Sequence, residues 1–487
     1  MLFKINLKNK YVEEFNGVGG IKELYKIIIN SWKPKDQYYI ASAPVGSFEK
    51  LEKFFLEVVH KKRIKDKVVL KILINKEGES YGFIRKKMPH TQVKFLDINT
   101  KVEYGILNNL FFIVDYGKKP RAILVRDSNL ANTFKEFFNI LWNQGREINT
   151  PPLVKLNSSI KSIIYSYRSK NPIIITDPYN YNIAKKFGKV VCIKNNKYEN
   201  VGLVQRKILK GNHKIVIGLG GCTALDVARA CSTKNIPSIL IPSMLSTVCI
   251  SVDKSVLSVR GKIKTFQTET PNKIIFNLPL IFSSNRKELE KWSQSGFGDL
   301  FAKIGASIDV VFRNSQKTKD VISLEKVRRN VPEVFEAVEW VLTSFEGYGK
   351  KELEKLASFL HDASVSIILR DSFELSGGGE HDLAYAMERR YKKGKKIWPT
   401  HGQIASVGTL IELKLFGEIT NDYSLYDKMV KIYNKLGLPV DYDSLKKIGL
   451  KKEYLISGLR DASKFNTLMG HNSKKAIGLL DEIFLKK

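Results

Sequence analysis

Three glycines in one short stretch of the chain have the spacing to do chemistry. Gly218, Gly220 and Gly221 follow an apolar run of strand length that starts at Lys214. Glycine lets a backbone approach a ligand closely, and the free amide groups and positive dipole end of a following helix suit a phosphate or pyrophosphate. A glycine pair also occurs in tight structural turns, so the stretch indicates either a nucleotide-binding turn or a purely structural one.

The segments that flank the glycines predict the elements that would position them. Residues 224–230 place small and apolar side chains at helical spacing, and an apolar run, 238–241, ends at Pro242. This order predicts a strand, a glycine turn, a helix and a parallel strand. The upstream run 172–176 predicts a buried strand with Asp177 at its carboxyl end. In a doubly wound sheet a carboxylate there accepts hydrogen bonds from ribose hydroxyls; in the turn DPYN it would instead cap a helix.

The stretch from residue 214 to residue 253 resembles the superfamily of dehydroquinate synthases, glycerol dehydrogenases and glycerol-1-phosphate dehydrogenases. The family pattern is GGG, then Asp and Lys on the helix, then a strand that ends in PT. The matching positions here are Gly220, Gly221, Cys222, Asp226, Arg229, Pro242 and Ser243. The resemblance implies NAD or NADP as the cofactor. The implied cofactor contacts are Asp177, Gly220, Gly221, Asp226, Ser243 and Ser246, although the two serines also fit plain turn chemistry.

The same resemblance implies a divalent metal centre further downstream. The segment 296–303, GFGDLFAK, matches the family motif AGxGDxxAK, in which the acid is a metal ligand. GEH at 379–381 and HGQ at 401–403 resemble the family's EH and HG metal motifs. The implied ligands of zinc, or of another divalent ion, are Asp299, His381 and His401. Two imidazoles and one carboxylate leave coordination positions open, as in a catalytic site. The alternative is that Asp299 and His381 are ordinary helix caps and that His401 merely follows Pro399.

The sequence departs from the family pattern at positions that bear on chemistry. Val248 stands where the family places an aspartate near the substrate hydroxyl, and valine can neither accept a proton nor orient a hydroxyl. Asp253 could take that place if the loop is longer. Asn277 replaces an aspartate at the end of a later strand, and Tyr385 replaces a second family histidine.

Composition limits the class of protein. The chain has 487 residues, 43% of them hydrophobic, which predicts about two to four domains with sizeable cores. No apolar run approaches the roughly 20 residues of a membrane helix, and residues 1–10 lack a signal-peptide pattern. We therefore expect a cytoplasmic protein without membrane insertion. The four cysteines lack paired spacing, which argues against disulfides and a zinc ribbon.

The net charge of +32, from 81 basic and 49 acidic residues, favours an anionic partner. The basic residues are scattered along the sequence, without a nucleic-acid-binding motif. A nucleic acid is therefore possible, but a small phosphorylated substrate would benefit from the same field. A homo-oligomer is also possible.

The expected fold class is α/β, in three domains. Residues 1–148, with a strand YIASAP and a final helix FKEFFNILW, resemble the phospholipase-D-like effector domain of archaeal TrmB-type regulators. His60, Lys62 and Asp66 come near the catalytic HxKxxxxD of the broader superfamily, but the aspartate is one residue early. We expect a solvated His60 at a helix end and a domain without catalysis. Residues 149–290 would form a Rossmann-like NAD(P)-binding domain, and residues 291–487 an α-helical metal and substrate domain.

The resemblance implies a metal-dependent, NAD(P)-linked oxidoreductase similar to glycerol-1-phosphate dehydrogenase. Such an enzyme transfers hydride between a nicotinamide and a small phosphorylated polyol or ketone, such as dihydroxyacetone phosphate, whose carbonyl the metal polarises. Lys262, Lys264 or Lys303 would hold the phosphate. A dehydroquinate-synthase-like cyclase and a non-catalytic regulator that binds a nucleotide or sugar phosphate are the alternatives.

Overall fold

The chain divides into two compact units, Met1–Asn149 and Thr150–Lys487. The structure is a computed structural model, and it describes residues 11–43, 49–75, 82, 85–86, 88–96, 100, 102–117, 119–146, 153–156, 159–319, 321–370, 374–395 and 397–484. Within these residues, no helix is both long and apolar enough to cross a membrane.

The front unit, Met1–Asn149, contains a seven-stranded sheet in the order β1-β7-β6-β5-β2-β3-β4. Strands β2, β3 and β4 are parallel to one another, and the other pairings are antiparallel. The strands are β1 Val12–Asn16, β2 Gln37–Ala43, β3 Val69–Asn75, β4 Thr91–Leu96, β5 Val102–Leu107, β6 Leu110–Asp115 and β7 Arg121–Arg126. Its helices are α1 Gly17–Ser31, α2 Glu49–Phe54, a π-helical turn Phe55–His60, α3 Lys61–Lys65 and α4 Ser128–Gln144.

The structure corrects the expectation that His60 is solvated. The helical segment does not end at His60 but continues through Lys61–Lys65, so the imidazole is buried, with an exposed fraction of 7%. Asp66 accepts hydrogen bonds from Lys62 Nζ and from Trp32 Nε1. Lys62 and Asp66 therefore form a local ion pair at the end of α3.

The main unit, Thr150–Lys487, begins with a six-stranded sheet in the order β10-β9-β11-β12-β15-β8. All of its strand pairs are parallel. β-Branched runs such as Ile173 to Ile175 are buried on both faces, as the strands of a covered parallel sheet require. The strands are β8 Leu153–Leu156, β9 Pro172–Thr176, β10 Lys189–Cys192, β11 Ile215–Gly220, β12 Ser238–Pro242 and β15 Lys273–Asn277, with a separate hairpin of β13 Lys254–Val259 and β14 Lys262–Gln267.

Short helices connect these strands, and a helical region follows them. The connecting helices are α5 Ile160–Tyr165, α6 Tyr181–Ala184, α7 Tyr198–Lys210, α8 Cys222–Ala230 and α9 Leu278–Ile281. The helical region comprises α10 Arg286–Thr318, α11 Leu324–Asn330, α12 Pro332–Ser344, α13 Lys350–Arg370, α14 Gly379–Tyr391, α15 His401–Thr420, α16 Ser424–Leu436, α17 Tyr442–Lys447, α18 Lys452–Ala462, α19 Leu468–His471 and α20 Ser473–Ile483. A parallel sheet followed by a mostly helical region confirms the predicted α/β fold class.

Candidate metal centre and glycine turn

Asp299, His381 and His401 come together from three different helices. Asp299 lies in α10, His381 near the start of α14, and His401 is the first residue of α15. Each offers one ligand atom, and these atoms all lie within 4.8 Å of one another. His381 Nε2 lies 3.3 Å from Asp299 Oδ1. The structure thus brings together the three side chains that the sequence predicted as ligands.

Glycines allow the helices to approach closely enough for this convergence. A Cβ atom on Gly298 of α10 would lie 2.1 Å from the carbonyl oxygen of Gly402, and one on Gly402 would lie 1.9 Å from that of Ser295. Both distances are too short for any side chain, so the two backbones touch beside the site. Because Asp299 follows Gly298 and His401 precedes Gly402, this contact sets the two ligands side by side.

The alternative that Asp299 is a helix cap is wrong. Helix α10 begins at Arg286, with the side chain of Asn285 accepting a hydrogen bond from the Glu288 amide, so Asp299 lies well inside the helix. Its carboxylate is nevertheless held. Thr247 Oγ1 and the Val248 amide donate hydrogen bonds of 2.8 and 2.7 Å to Oδ2, which leaves Oδ1 facing His381. Val248 therefore contributes to the site through its backbone.

Each candidate histidine ligand has a carboxylate behind it. His381 Nδ1 donates to Glu380 Oε1 at 2.9 Å, and His401 Nδ1 lies 3.4 Å from Glu388 Oε1. Bonding of Nδ1 to a carboxylate fixes the tautomer that leaves Nε2 available to a metal. Sequence reasoning assigned no role to Glu380, Glu388 or Thr247. Their positions in the sequence could have pointed to them. Glu380 is next to the predicted ligand His381, and Glu388 lies seven residues, about two helical turns, after His381.

Asp299 and His381 shift one another's pKa values in favour of the charged forms. Burial raises the pKa of Asp299, but the hydrogen bond and positive charge of His381 and the charge of His401 outweigh burial and lower it overall. Burial lowers the pKa of His381, while hydrogen bonds to Asp299 and Glu380 raise it to about 10. Without a metal, a proton on His381 therefore offsets part of the negative charge of its two carboxylate partners. A divalent cation would take over that role, and it must compete with the proton.

Asp177 lies beside the glycine turn, at the carboxyl end of β9. Its Oδ2 accepts a hydrogen bond of 2.7 Å from the Gly221 amide, and its Oδ1 accepts bonds of 2.9 Å from both nitrogens of Asn180. Gly220 has φ +146°, and a Cβ there would lie 2.2 Å from Asp177 Oδ2. The expectation of free amides is therefore wrong for Gly221, because the carboxylate needs a donor inside the folded turn. Contact between Asp177 and a ribose stays a prediction.

Other residues predicted to contact the cofactor form hydrogen bonds within the loops around this turn. Asp226 is buried and accepts a hydrogen bond of 2.9 Å from Arg229 Nη2, while Arg229 Nη1 donates to the carbonyls of Cys249 and Val252. Ser243 Oγ accepts a hydrogen bond of 3.2 Å from Asn180 Nδ2. All of these hydrogen bonds are within the protein, so contacts of these residues with a cofactor stay predictions.

Ser246 and Thr247 connect the glycine turn with the three candidate ligands. Ser246 Oγ lies 3.6 Å from Cys222 Sγ, at the start of helix α8, and the next residue, Thr247, binds Asp299. Ser295 Oγ donates to the Ser246 carbonyl at 3.0 Å. The loop that contains Ser246 and Thr247 therefore contacts both the turn and the candidate metal centre.

Three residues named by the sequence analysis have structural partners away from the ligands. Lys303 is completely buried, donates to the Ala363 carbonyl at 3.0 Å and lies 3.4 Å from Glu333 Oε1. The prediction that it holds a substrate phosphate is wrong, since its ammonium is enclosed among helices. Asn277 caps α9, and Asp253 accepts a hydrogen bond from Gln267 next to the β13–β14 hairpin. Lys262 and Lys264 are exposed on β14, and their role stays a prediction.

The fold and the site together define a class: an α/β protein with a glycine turn at the end of a parallel strand and a candidate divalent-metal centre on the adjoining helices. No family model matches the chain. Sequence comparison finds similarity to glycerol-1-phosphate dehydrogenase [NAD(P)+] from Staphylothermus marinus, with 25% identity over 342 residues, 65% of this chain and 90% of the relative. The enzyme of the same name from Nitrosopumilus maritimus is 24% identical over 349 residues, 70% of this chain and 86% of the relative.

Solved structures with a similar course of the chain include a probable glycerol dehydrogenase from Sinorhizobium meliloti. It has a TM-score of 0.49 and 12% identity, and the match covers 69% of this chain and 98% of that one. Sulfoacetaldehyde reductase from Bifidobacterium kashiwanohense, in complex with NAD+, has a TM-score of 0.47 and 15% identity over 70% of this chain and 99% of that one. The sequence relatives support the predicted superfamily resemblance.

Proposed function

We propose that the chain is a metal-dependent, NAD(P)-linked oxidoreductase of the glycerol-1-phosphate dehydrogenase type. It would transfer hydride between a nicotinamide and a small phosphorylated ketone or polyol, such as dihydroxyacetone phosphate. The observation that carries this proposal is the convergence of the three candidate ligands next to the loop that contacts the glycine turn. Asp299, His381 and His401 converge within 4.8 Å, and Thr247 and Ser246 link them to the glycine turn. The names of the sequence relatives support the same activity.

The donor set fits a zinc or similar ion. Asp299 presents Oδ1, because Oδ2 is occupied by Thr247 and Val248, and His381 presents Nε2, because Nδ1 is bonded to Glu380. Such an ion, when bound, supplies Lewis-acid polarisation of a carbonyl. Two of the three donors, Asp299 and His381, are buried and held by hydrogen bonds within the protein, so little reorganisation would accompany binding.

Cys249, near the site, does not suit covalent catalysis. Desolvation raises the pKa of its thiol to about 12. The thiol is therefore neutral at physiological pH, whereas the thiolate is the nucleophilic form. The chemistry is better assigned to the cofactor and the metal ligands.

A non-catalytic regulator that binds a nucleotide or sugar phosphate is the second candidate. The observations in its favour are departures from the family pattern: Cys222 in place of the third glycine, Ser243 in place of the threonine and Asn277 in place of an aspartate. Val248, at the family's aspartate position, favours it as well.

Metal analysis and a turnover assay separate the two candidates. Purified protein is analysed for bound zinc and then assayed for oxidation of NADH and NADPH with dihydroxyacetone phosphate. We expect about one metal per chain, and turnover that His381→Ala and His401→Ala abolish but His471→Ala, outside the site, retains. Bound nucleotide without turnover in a metal-loaded protein would favour the regulator.

Further parts of the proposal concern the organisation of the chain. We infer that residues 149–290 and 291–487 act as nucleotide-binding and metal-binding domains, and that the front unit is a non-catalytic sensory or scaffolding domain similar to TrmB effector domains. A cytoplasmic location and self-association belong to the same proposal. Size-exclusion chromatography with light scattering tests the oligomeric state.

A further inference from the structure

Glu380 lies directly behind a candidate metal ligand and is fully buried. Its Oε1 accepts a hydrogen bond of 2.7 Å from the Gly378 amide and one of 2.9 Å from His381 Nδ1. The opposite nitrogen of the same ring, Nε2, faces Asp299 Oδ1. The imidazole is therefore held between two carboxylates, one on the side of the candidate metal and one on the side of the protein interior.

Two neighbouring helices are shaped around Glu380. A Cβ atom on Gly305 of α10 would lie 2.8 Å from Glu380 Oε2, and one on Gly408 of α15 would lie 2.6 Å from the Cα atom of Glu380. Only glycine leaves room at these two positions. The carboxylate thus has little freedom to rotate away from His381.

A further buried acid, Asp309, holds the start of α14, which carries both residues, and another buried acid, Glu412, lies beside it. Asp309 Oδ2 accepts a hydrogen bond of 2.7 Å from the Gly379 amide, and its Oδ1 accepts one of 2.5 Å from the Leu468 amide. Glu412 Oε1 accepts a bond of 3.3 Å from the Met469 amide. Asp309, Glu380 and Glu412 each place an oxygen within 4.8 Å of the others.

Burial and mutual repulsion disfavour negative charge on all three of Asp309, Glu380 and Glu412 at once. Burial, and then the charge of Glu380, raise the pKa of Asp309 to about 7. Burial, and then the charges of Asp309 and Glu380, raise the pKa of Glu412 far above its ordinary value.

We propose that Glu380 is a positioning residue of the metal centre. It orients the His381 ring, holds the proton on Nδ1 and thereby directs Nε2 towards Asp299 and His401, while Asp309 fixes the helix start on which Glu380 and His381 sit. This inference rests on the metal centre of the proposed function. Outer carboxylate partners of metal-binding histidines typically contribute about 10- to 100-fold to metal affinity.

The test measures metal binding rather than turnover. The full chain is stripped of metal, and its Zn²⁺ affinity is measured by competition with a chromophoric chelator for wild type, Glu380→Gln and Glu380→Ala. Co²⁺ is then added, and its visible absorption spectrum reports the ligand geometry. Glu352→Gln, which changes another buried glutamate outside the site, is the matched control.

We expect Glu380→Ala to weaken Zn²⁺ binding by about 10- to 100-fold and to shift the Co²⁺ spectrum. Glu380→Gln keeps an acceptor for Nδ1 but loses the charge, so its affinity should lie between those of wild type and Glu380→Ala. Glu352→Gln should bind like wild type. Circular dichroism of each metal-free variant verifies folding, and Glu380→Gln, which preserves volume, serves if the alanine variant unfolds.

The outcomes separate this inference from the proposed function. Wild-type affinity and an unchanged spectrum in a folded Glu380→Ala or Glu380→Gln variant would overturn the positioning role alone. Weakened metal binding in these variants, with no turnover by metal-loaded wild type, would support the positioning role and overturn the proposed reaction. A wild type that binds no divalent metal would overturn both.

Discussion

Thr247 donates a hydrogen bond of 2.8 Å to Oδ2 of Asp299, although 52 positions separate the two residues in the sequence. Together with the Val248 amide, it occupies one carboxylate oxygen and leaves the other facing His381. The loop that follows β12 is therefore fixed to the candidate metal centre. In the superfamily that the sequence resembles, a substrate-side aspartate stands in this loop; here Val248 presents a buried apolar side chain and a backbone donor.

Thr247→Val should weaken divalent-metal binding by about 10-fold or more, because hydrogen bonds to charged groups contribute about 1.5–3 kcal/mol. The substitution keeps the shape of the side chain and removes the hydroxyl donor, while the Val248 amide still holds Asp299. Chelator competition measures the effect. Thr247→Ser keeps the hydroxyl and should bind within about threefold of wild type; equal loss in both variants would contradict the role of this hydrogen bond.

The metal-free protein should lose stability as the pH rises towards 10. The pKa of His381 is 6.5 in its ordinary state and about 10 in the folded protein, because burial is outweighed by hydrogen bonds to Asp299 and Glu380. A raised folded-state pKa gives stability that is fully present below pH 6.5 and lost as the pH rises through 10. Thermal melting between pH 6 and 10, with His381→Gln as the comparison, checks this. A parallel pH dependence in both proteins would argue against it.

Zn²⁺ affinity should rise over the same pH range. A cation must displace the proton that His381 carries, so removing that proton in advance favours binding by up to about tenfold per pH unit for one proton. Titrations in two buffers with different protonation enthalpies measure the proton release directly. Binding without proton release at pH 7 would contradict the assignment of His381 as a protonated residue in the metal-free protein.

Gly402→Ala should destabilise the protein by about 1–3 kcal/mol or more, because the added methyl would enter the backbone of α10 at Ser295. Separation of the two helices should also weaken metal binding. Gly202→Ala is the matched control, since it lies in α7 and its Cβ would meet nothing within 4 Å. That substitution should be neutral or stabilise by up to about 1 kcal/mol. Denaturant melts compare the two variants.

Lys303→Met should destabilise the protein by about 3–5 kcal/mol, because it leaves the buried Glu333 carboxylate without its partner. The double variant Lys303→Met with Glu333→Gln should recover much of this loss. If Lys303 instead held a substrate phosphate, the single variant would chiefly raise the KM for a phosphorylated ketone. Melting curves and kinetics of the three proteins distinguish the two roles.

Several elements were predictable because they depend on residues that are neighbours in sequence. The run 172–176 forms β9 with those limits, and the apolar run that starts at Lys214 forms β11, although this strand continues through Gly218 and Gly220, which were predicted to lie in the turn. The helix after the glycines begins at Cys222, next to the turn, as the spacing indicated. Local preference and burial pattern suffice for such elements, and the motifs supplied the types of the candidate ligands.

The sequence by itself determined the strand, turn and helix that carry the glycines, and the residue types able to bind a metal. Only the tertiary structure decided that Asp299, His381 and His401 converge, that Lys303 is enclosed, and that Glu380 and Thr247 hold the ligands. The reason is physical: local periodicity specifies which face of a helix is apolar. Which side chains meet across helices depends instead on how closely the backbones approach, and here that is set by glycines such as Gly298 and Gly402.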